Sequence, residues 1–252
     1  MLLVTWNVNS LKMRLPRLLE FVEQHRPDVL CIQETKVEDA LFPALELQGA
    51  GYHAVHHSAG RWAGVAILAT EPPADPVVGL PGEAAEDEAR WIEATVHGLR
   101  VASVYVPNGR AVDSPSFAEK LQFLDAMRER LGAGGLDAVL GDFNVARADI
   151  DVYDPEAFIG STHVTTAERS RFEALLGHGF VDAYRELHRD EVGFTWWDYR
   201  QGHFHRKLGL RIDYVLLAEG PAGGLESCGI DRNYRKGPKP SDHAPLLASI
   251  RR

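Results

Sequence analysis

The chain has 252 residues, 45% of them hydrophobic, with a formal net charge of −9 at neutral pH and two cysteines. That length suffices for one large core, and although it would also permit two domains, no linker divides it, so one domain over 1–252 is expected. Two cysteines exclude a disulfide framework, no apolar run is long enough to span a bilayer, and the acidic balance opposes DNA association except where positive charge is concentrated locally.

In chain order, residues 2–6 read as a strand that stops on two amides, Asn7 and Asn9. A helix follows, with Leu15, Leu18, Leu19 and Val22 at helical spacing and Pro16 in its first turn, where proline is tolerated. Residues 28–32 run apolar into Glu34, and Cys31 within them reads as a small buried thiol. Strand candidates lie at 52–58 and 65–70, then residues 71–88, rich in proline, glycine and acid, read as a surface loop. Strands are expected at 91–97 and 101–106, the second closing on Tyr105 and Asn108. Ser114 and Pro115 mark the start of a helix over 116–131. After the short apolar run 137–140, Gly141 allows the chain to turn, and Asp142 and Asn144 alternate about Phe143. An Asp-x-Asn at a strand end is equally the mark of an Asx turn. Thr165-Thr166-Ala167-Glu168 has the form of a capping box opening a third helix.

Further on, Trp196 and Trp197 fall on opposite faces of an extended segment, one for the core and one free to wall a pocket. The strand 211–217 places the carboxylate of Asp213 among aliphatic neighbours, where it needs a partner. Strands at 225–230 and 245–250 complete the pattern, the last preceded by Ser241-Asp242-His243. Consecutive strands without intervening helices imply mixed sheets rather than a purely parallel one.

Several hydrophobic runs thus stop on side chains that bind metal or move protons, at one edge of a sheet where α/β proteins build sites. Oxygen donors from Glu34, Asp142 and Asp242, with nearby amides, favour a hard cation, Mg²⁺ or Mn²⁺, over zinc. His243, Tyr105 and Asp213 remain to orient or protonate a substrate, and the set suits metal-assisted phosphoester hydrolysis. Asp213 is expected behind His243, the alternative being an ion pair with Arg211.

The motifs Thr5-Trp6-Asn7-Val8-Asn9, Ile32-Gln33-Glu34-Thr35-Lys36, Tyr105-Val106-Pro107-Asn108, Gly141-Asp142-Phe143-Asn144, Leu210-Arg211-Ile212-Asp213-Tyr214 and Ser241-Asp242-His243-Ala244-Pro245 occur in this order. As a set they resemble the exonuclease III family of abasic-site endonucleases. The resemblance implies an α/β, DNase I-like fold: a four-layer sandwich of two packed mixed β-sheets flanked by helices. It also implies Glu34 as the principal metal ligand with Asn7 and Asp242 close to the same ion or its waters. Asp142 would deprotonate the attacking water, Asn144 would hold that water or a phosphate oxygen, and His243, oriented by Asp213, would donate to a phosphate oxygen. Tyr105 either binds phosphate or acts as an acid toward the leaving oxygen.

By the same resemblance Trp196, Leu210 and Ile212 match an apolar pocket for a flipped-out baseless sugar, Arg110 and Arg200 match side chains pushed into the duplex, and Asn108 joins the substrate-binding set. Leu210 stands where relatives have tryptophan, and Asn9 where some have aspartate. Arg200, Arg206, Lys207 and Arg211 form one cationic stretch and Arg232, Arg235, Lys236 and Lys239 another, read as phosphate-tracking rather than merely solvated surface. Trp62, in a glycine-bracketed loop, reads equally as a stacking residue or a core one. His25, His53, His56, His57, His163, His178 and His188 read as ordinary surface or loop histidines. The expected protein is a cytoplasmic, monomeric Mg²⁺-dependent nuclease, with no membrane association, acting on double-stranded DNA. Its cut is expected 5′ to abasic sites, with 3′–5′ exonuclease or 3′-phosphatase action at 3′ ends. The alternatives are a phosphoesterase acting on RNA or a small phosphate ester, and a binding module without turnover.

Overall fold

The computed structural model describes residues 1–84 and 87–251. In chain order its strands are β1 Leu2–Asn7, β2 Val29–Gln33, β3 His53–His57, β4 Val65–Ala69, β5 Ala74–Val78, β6 Trp91–Val96, β7 Leu99–Tyr105, β8 Ala138–Asp142, β9 Phe180–Asp182, β10 Asp213–Ala218, β11 Leu225–Ile230 and β12 Leu246–Ile250. The main helices are α1 Leu11–His25, α2 Ala44–Gly49, α3 Pro115–Gly132 and α4 Thr166–Leu176.

These strands form two six-stranded sheets, ordered β11-β12-β1-β2-β4-β3 and β5-β6-β7-β8-β10-β9. Both are mixed in the same way. Each has one parallel pair, β1 with β2 and β7 with β8, flanked by antiparallel strands. A helix joins each parallel pair, α1 in the first sheet and α3 in the second, as a crossover requires. Aliphatic residues of both inner faces, among them Leu3, Cys31, Ile67, Val101, Leu140 and Val215, meet in one buried layer. The outer faces are covered by α1 on one side and by α3 and α4 on the other, giving the expected four layers.

Local chemistry explains most boundaries. Ser114 accepts from Phe117 N with Pro115 at the first helical position, and Thr165 and Glu168 cap α4 reciprocally. α1 begins earlier than expected, at Leu11, so Pro16 lies inside it rather than in its first turn. An interior proline costs about 3 kcal/mol, whereas burying Leu11, Leu18, Phe21 and Val22 returns about 1.5–3 kcal/mol each, so packing decides. Gly141 does not turn the chain as expected: it lies within β8, and a Cβ there would meet the Val104 carbonyl oxygen at 2.0 Å. Its role is close approach of β7 to β8. The segment 71–88 holds the edge strand β5, exposed along its length; within this segment, positions 85–86 lie outside the described residues.

Candidate active site

The parallel pairs aim their carboxyl ends the same way, which is where such sheets build sites. Register then brings the polar residues together. Asn7 pairs with Gln33, Tyr105 with Asp142, and Asp142 with Asp213 across β8 and β10. The antiparallel strand β12 lies against β1, so the segment entering it carries His243 to the same edge.

Glu34, Asp142 and His243 each offer a ligand atom within 4.8 Å of the others. Asp142 and His243 are almost wholly buried, while Glu34 remains partly open to solvent. The His243 Nδ1–H donates to Asp213 Oδ2 at 2.8 Å, and Nε2 stands 3.7 Å from Asp142 Oδ2. Arg211, the competing partner for Asp213, instead binds Asp151 and Asp182. Thr195 Oγ1 accepts from the backbone N–H groups of both Ile212 and Asp213, at 3.1 Å each. Ser241 Oγ donates to the Asn7 carbonyl and accepts from His243 N, tying the last segment to β1.

Electrostatics follow from this crowding. Burial raises the pKa of Asp142 to about 7; the His243 charge opposes that rise, and Asp213 and Glu34 add to it. For His243, burial favours the neutral ring, but Asp213 and Asp142 outweigh it and lift the imidazole to about 10. His243 is therefore an imidazolium near neutrality, a hydrogen-bond donor rather than a metal ligand. Burial, and then the charge of Glu34, push the Tyr105 phenol well above its ordinary value, so it too stays a donor. Arg90 lies over the Tyr105 ring at 4.6 Å.

Several expected residues differ in detail. Asn7 turns its amide N–H groups toward Glu34 Oε1 and Asp142 Oδ2, at 2.8 and 2.9 Å, because its oxygen accepts from Asn9 N. In this arrangement it bridges the two carboxylates rather than offering an oxygen to a metal. Asp242 has both oxygens engaged, by Asn9 Nδ2 and Trp196 Nε1, and stands outside the convergent trio. Asn144 does not continue the extended chain past Asp142. Its φ is 50°, and its N–H donates to Asp142 Oδ1, so the Asx turn and the site placement coexist. Asn108 Nδ2 approaches Asn144 Oδ1 at 3.4 Å, and Arg110 lines a cavity with Glu34, Tyr105 and Asn108.

The substrate-facing expectations fare unevenly. Trp197 is buried and Trp196 half-buried, although no strand forms here: Trp196 makes only isolated bridges to Leu210 and His243. Leu210 and Ile212, however, are 0% and 2% exposed, packed with Ala146, Val152, Phe158 and Val164 beneath Trp196. They form a floor, not an open pocket. Neither cationic stretch is free along its length. Arg211 is wholly buried among carboxylates, Arg235 is buried against the rings of Tyr199 and Phe204, and Arg200 is paired to Asp198. Arg206, Lys207, Arg232, Lys236 and Lys239 remain exposed. Trp62 is 74% exposed, which removes the core reading.

Two nearby residues escaped the sequence reading of single positions. Lys36 Nζ lies 2.6 Å from Glu34 Oε2 and 2.6 Å from Asn9 Oδ1, and its place two residues after Glu34 in a strand-end motif is the available signal. His163 is no ordinary loop histidine: Nδ1 lies 2.5 Å from the Asn144 carbonyl, and burial with Lys120 nearby lowers its pKa to about 4. Nothing in its local sequence marked it.

The donor chemistry fits a divalent cation. With His243 protonated, Glu34 and Asp142 supply only oxygens, and negative charge exceeds what Lys36 and His243 neutralise once Asp213 and Asp242 are included.

Fold and site together define a phosphoesterase sandwich. The chain belongs to the endonuclease/exonuclease/phosphatase family, whose model matches residues 4–243. It is 30% identical to an exodeoxyribonuclease of Bacillus subtilis, over 98% of both chains. A 3′ phosphatase, NExo, from Neisseria, bound to a product DNA hairpin, superposes with a TM-score of 0.97 at 40% identity, covering 100% of both chains. An AP endonuclease of Archaeoglobus fulgidus gives 0.96 at 36%, covering 99% of both.

Proposed function

We propose that the protein is a divalent-cation-dependent DNA repair nuclease that hydrolyses the phosphodiester 5′ to abasic sites in duplex DNA and also processes 3′ ends. The observation that carries this reading is the convergence of Glu34, Asp142 and His243 within 4.8 Å, with Asp213 behind the imidazole. Asp142, with a pKa near neutrality, is suited to take the proton of an attacking water, and Asn144 to hold that water through its amide. His243 donates its Nε2–H to a phosphate oxygen while Asp213 fixes the ring, and Tyr105, kept neutral, donates a second hydrogen bond. Glu34 would hold Mg²⁺, with Mn²⁺ as the alternative, beside Asp142, and the ion would supply charge neutralisation to the phosphate and the leaving oxygen.

A second reading places the emphasis on 3′ ends. Two observations favour it: the apolar floor of Leu210 and Ile212 offers no open pocket for a sugar, and the 3′ phosphatase and a Neisseria meningitidis 3′–5′ exonuclease stand at 40% and 41% identity, against 36% for the archaeal AP endonuclease. We assign the protein to the cytoplasm as a monomer on duplex DNA; no helix among the described residues is long and apolar enough to cross a membrane.

Matched duplexes carrying an abasic site, a recessed 3′ end or a 3′ phosphate, resolved on a gel, separate these readings. Fastest incision at the abasic site supports the first, and fastest loss of the 3′ phosphate or 3′ nucleotide supports the second. No cleavage of any duplex would turn the assignment toward RNA or a small phosphate ester.

A further inference from the structure

Behind the site lies a fully buried ion pair that the catalytic chemistry does not use. Lys120, on the inner side of α3, and Glu168, in the first turn of α4, are both 0% exposed. The Lys120 ammonium makes three donations: to the carbonyl of Asn144 at 2.6 Å, to the carbonyl of Asn108 at 3.2 Å, and to Glu168 Oε1. Glu168 in turn accepts from His163 N at 2.9 Å and from Thr165 N and Oγ1 at 3.0 and 2.7 Å. One ammonium and one carboxylate therefore join three loops, each following the end of a strand or leading into a helix.

A buried pair of this kind is poor evidence for stability, because desolvation of both ions offsets their attraction. Geometry gives it another use. Asn144 holds a left-handed backbone that costs a non-glycine residue free energy unless neighbours impose it. Those neighbours are Asp142 Oδ1 on its N–H and Lys120 and His163 on its carbonyl. Its side-chain amide is then fixed by donation to the Val106 carbonyl at 2.9 Å, leaving its oxygen toward Asn108. The lysine thus grips the backbones of both asparagines, whose side-chain amides lie against each other at the edge of the site.

We propose that Lys120 and Glu168 are positioning residues that set Asn144 and Asn108 for the hydrolytic step while touching neither substrate nor metal. The proposal rests on the nuclease reading above. It predicts loss of turnover without loss of DNA affinity, since misplacing a catalytic amide by about 1 Å costs on the order of 10²-fold in rate.

The test compares wild type with Lys120→Met, Glu168→Gln and the double variant, each followed by thermal melting, kcat and KM on the best-cleaved duplex. Lys120→Met alone strands a buried carboxylate and is expected to fold least well; the double variant removes both charges. Glu168→Gln keeps the shape and one acceptor oxygen, which serves either Thr165 or His163, and carries the test if the others do not fold. Expected is a cooperative transition with kcat lowered about 10²-fold for the double variant, KM changed less than about threefold, and single effects that do not add. A folded variant turning over at the wild-type rate overturns the proposal, as does a rise in KM with kcat intact. Failure of wild type to cleave would instead refute the nuclease reading.

Discussion

Two buried groups of charged side chains meet at opposite sides of β10, and they are built to opposite rules. Ahead of the strand, Arg211, Arg185 and Arg147 face Asp151, Asp182 and Glu173, three cations against three carboxylates, with Arg211 and Asp151 wholly buried. At its first residue, Asp213 joins Glu34, Asp142 and Asp242 around His243 and Lys36, four carboxylates against two cations. The balanced group is satisfied by the chain alone. The unbalanced one is not, and an excess of negative charge is what a divalent cation would resolve. Charge burial by itself does not mark a site; charge burial left unneutralised does.

The contrast can be broken most severely at Asp142. Asp142→Asn should lower turnover by about 10³-fold or more while leaving folding and DNA binding nearly intact, because it removes a repulsive charge along with the base. Single-turnover cleavage with a binding assay checks this, and near-normal cleavage would remove Asp142 from the proton-accepting role. Arg211→Met should do the reverse, destabilising by about 3–5 kcal/mol by removing the one guanidinium that pairs with both Asp151 and Asp182. The sign with pH is set by Asp151, whose burial works to raise its pKa but is outweighed by Arg211 and Arg185, so that it lies below its ordinary value. A depressed carboxylate stabilises above its unfolded pKa, and that stability is lost as pH falls through the folded one. The cost of Arg211→Met in urea unfolding should therefore be full at pH 7 and shrink below about pH 4.

A subtler difference lies in proton linkage. With Asp142 lifted to about 7, binding a divalent cation should release about one proton, so apparent affinity should fall roughly tenfold per pH unit below neutrality. Calorimetry in buffers of different ionisation enthalpy reads that proton, and affinity constant from pH 5 to 8 would contradict it. The smallest effect is expected at the rim. Trp196→Ala should slow abasic-site incision more than 3′-end hydrolysis, by about tenfold, since it removes the half-buried ring above Leu210 and Ile212. Equal losses on both substrates would mean that the apolar floor does not select between them.

Much of this was legible in the chain because strand ends are local. Apolar runs stop on or next to Glu34, Tyr105 and Asp142, and others start at Asp213 or just after His243, so each polar residue is marked by the run beside it. What was illegible came from across the fold. The two sheets repeat one pattern of pairings, yet they share no sequence period, because only topology is repeated. β5 was missed because an exposed edge strand bearing Pro76 has no hydrophobic alternation. Arg211 and Arg235 read as surface cations since their partners, Asp151, Asp182 and Tyr199, come from other segments. Lys120 had no local mark at all: its partner Glu168 lies 48 residues away.

Cleavage of an abasic or 3′-phosphate duplex measured in chelator, and again after adding excess Mg²⁺, bears most directly on whether Glu34 and Asp142 build a cation-assisted hydrolytic centre. Activity should vanish in chelator and return with the metal. Undiminished cleavage in chelator would contradict the account.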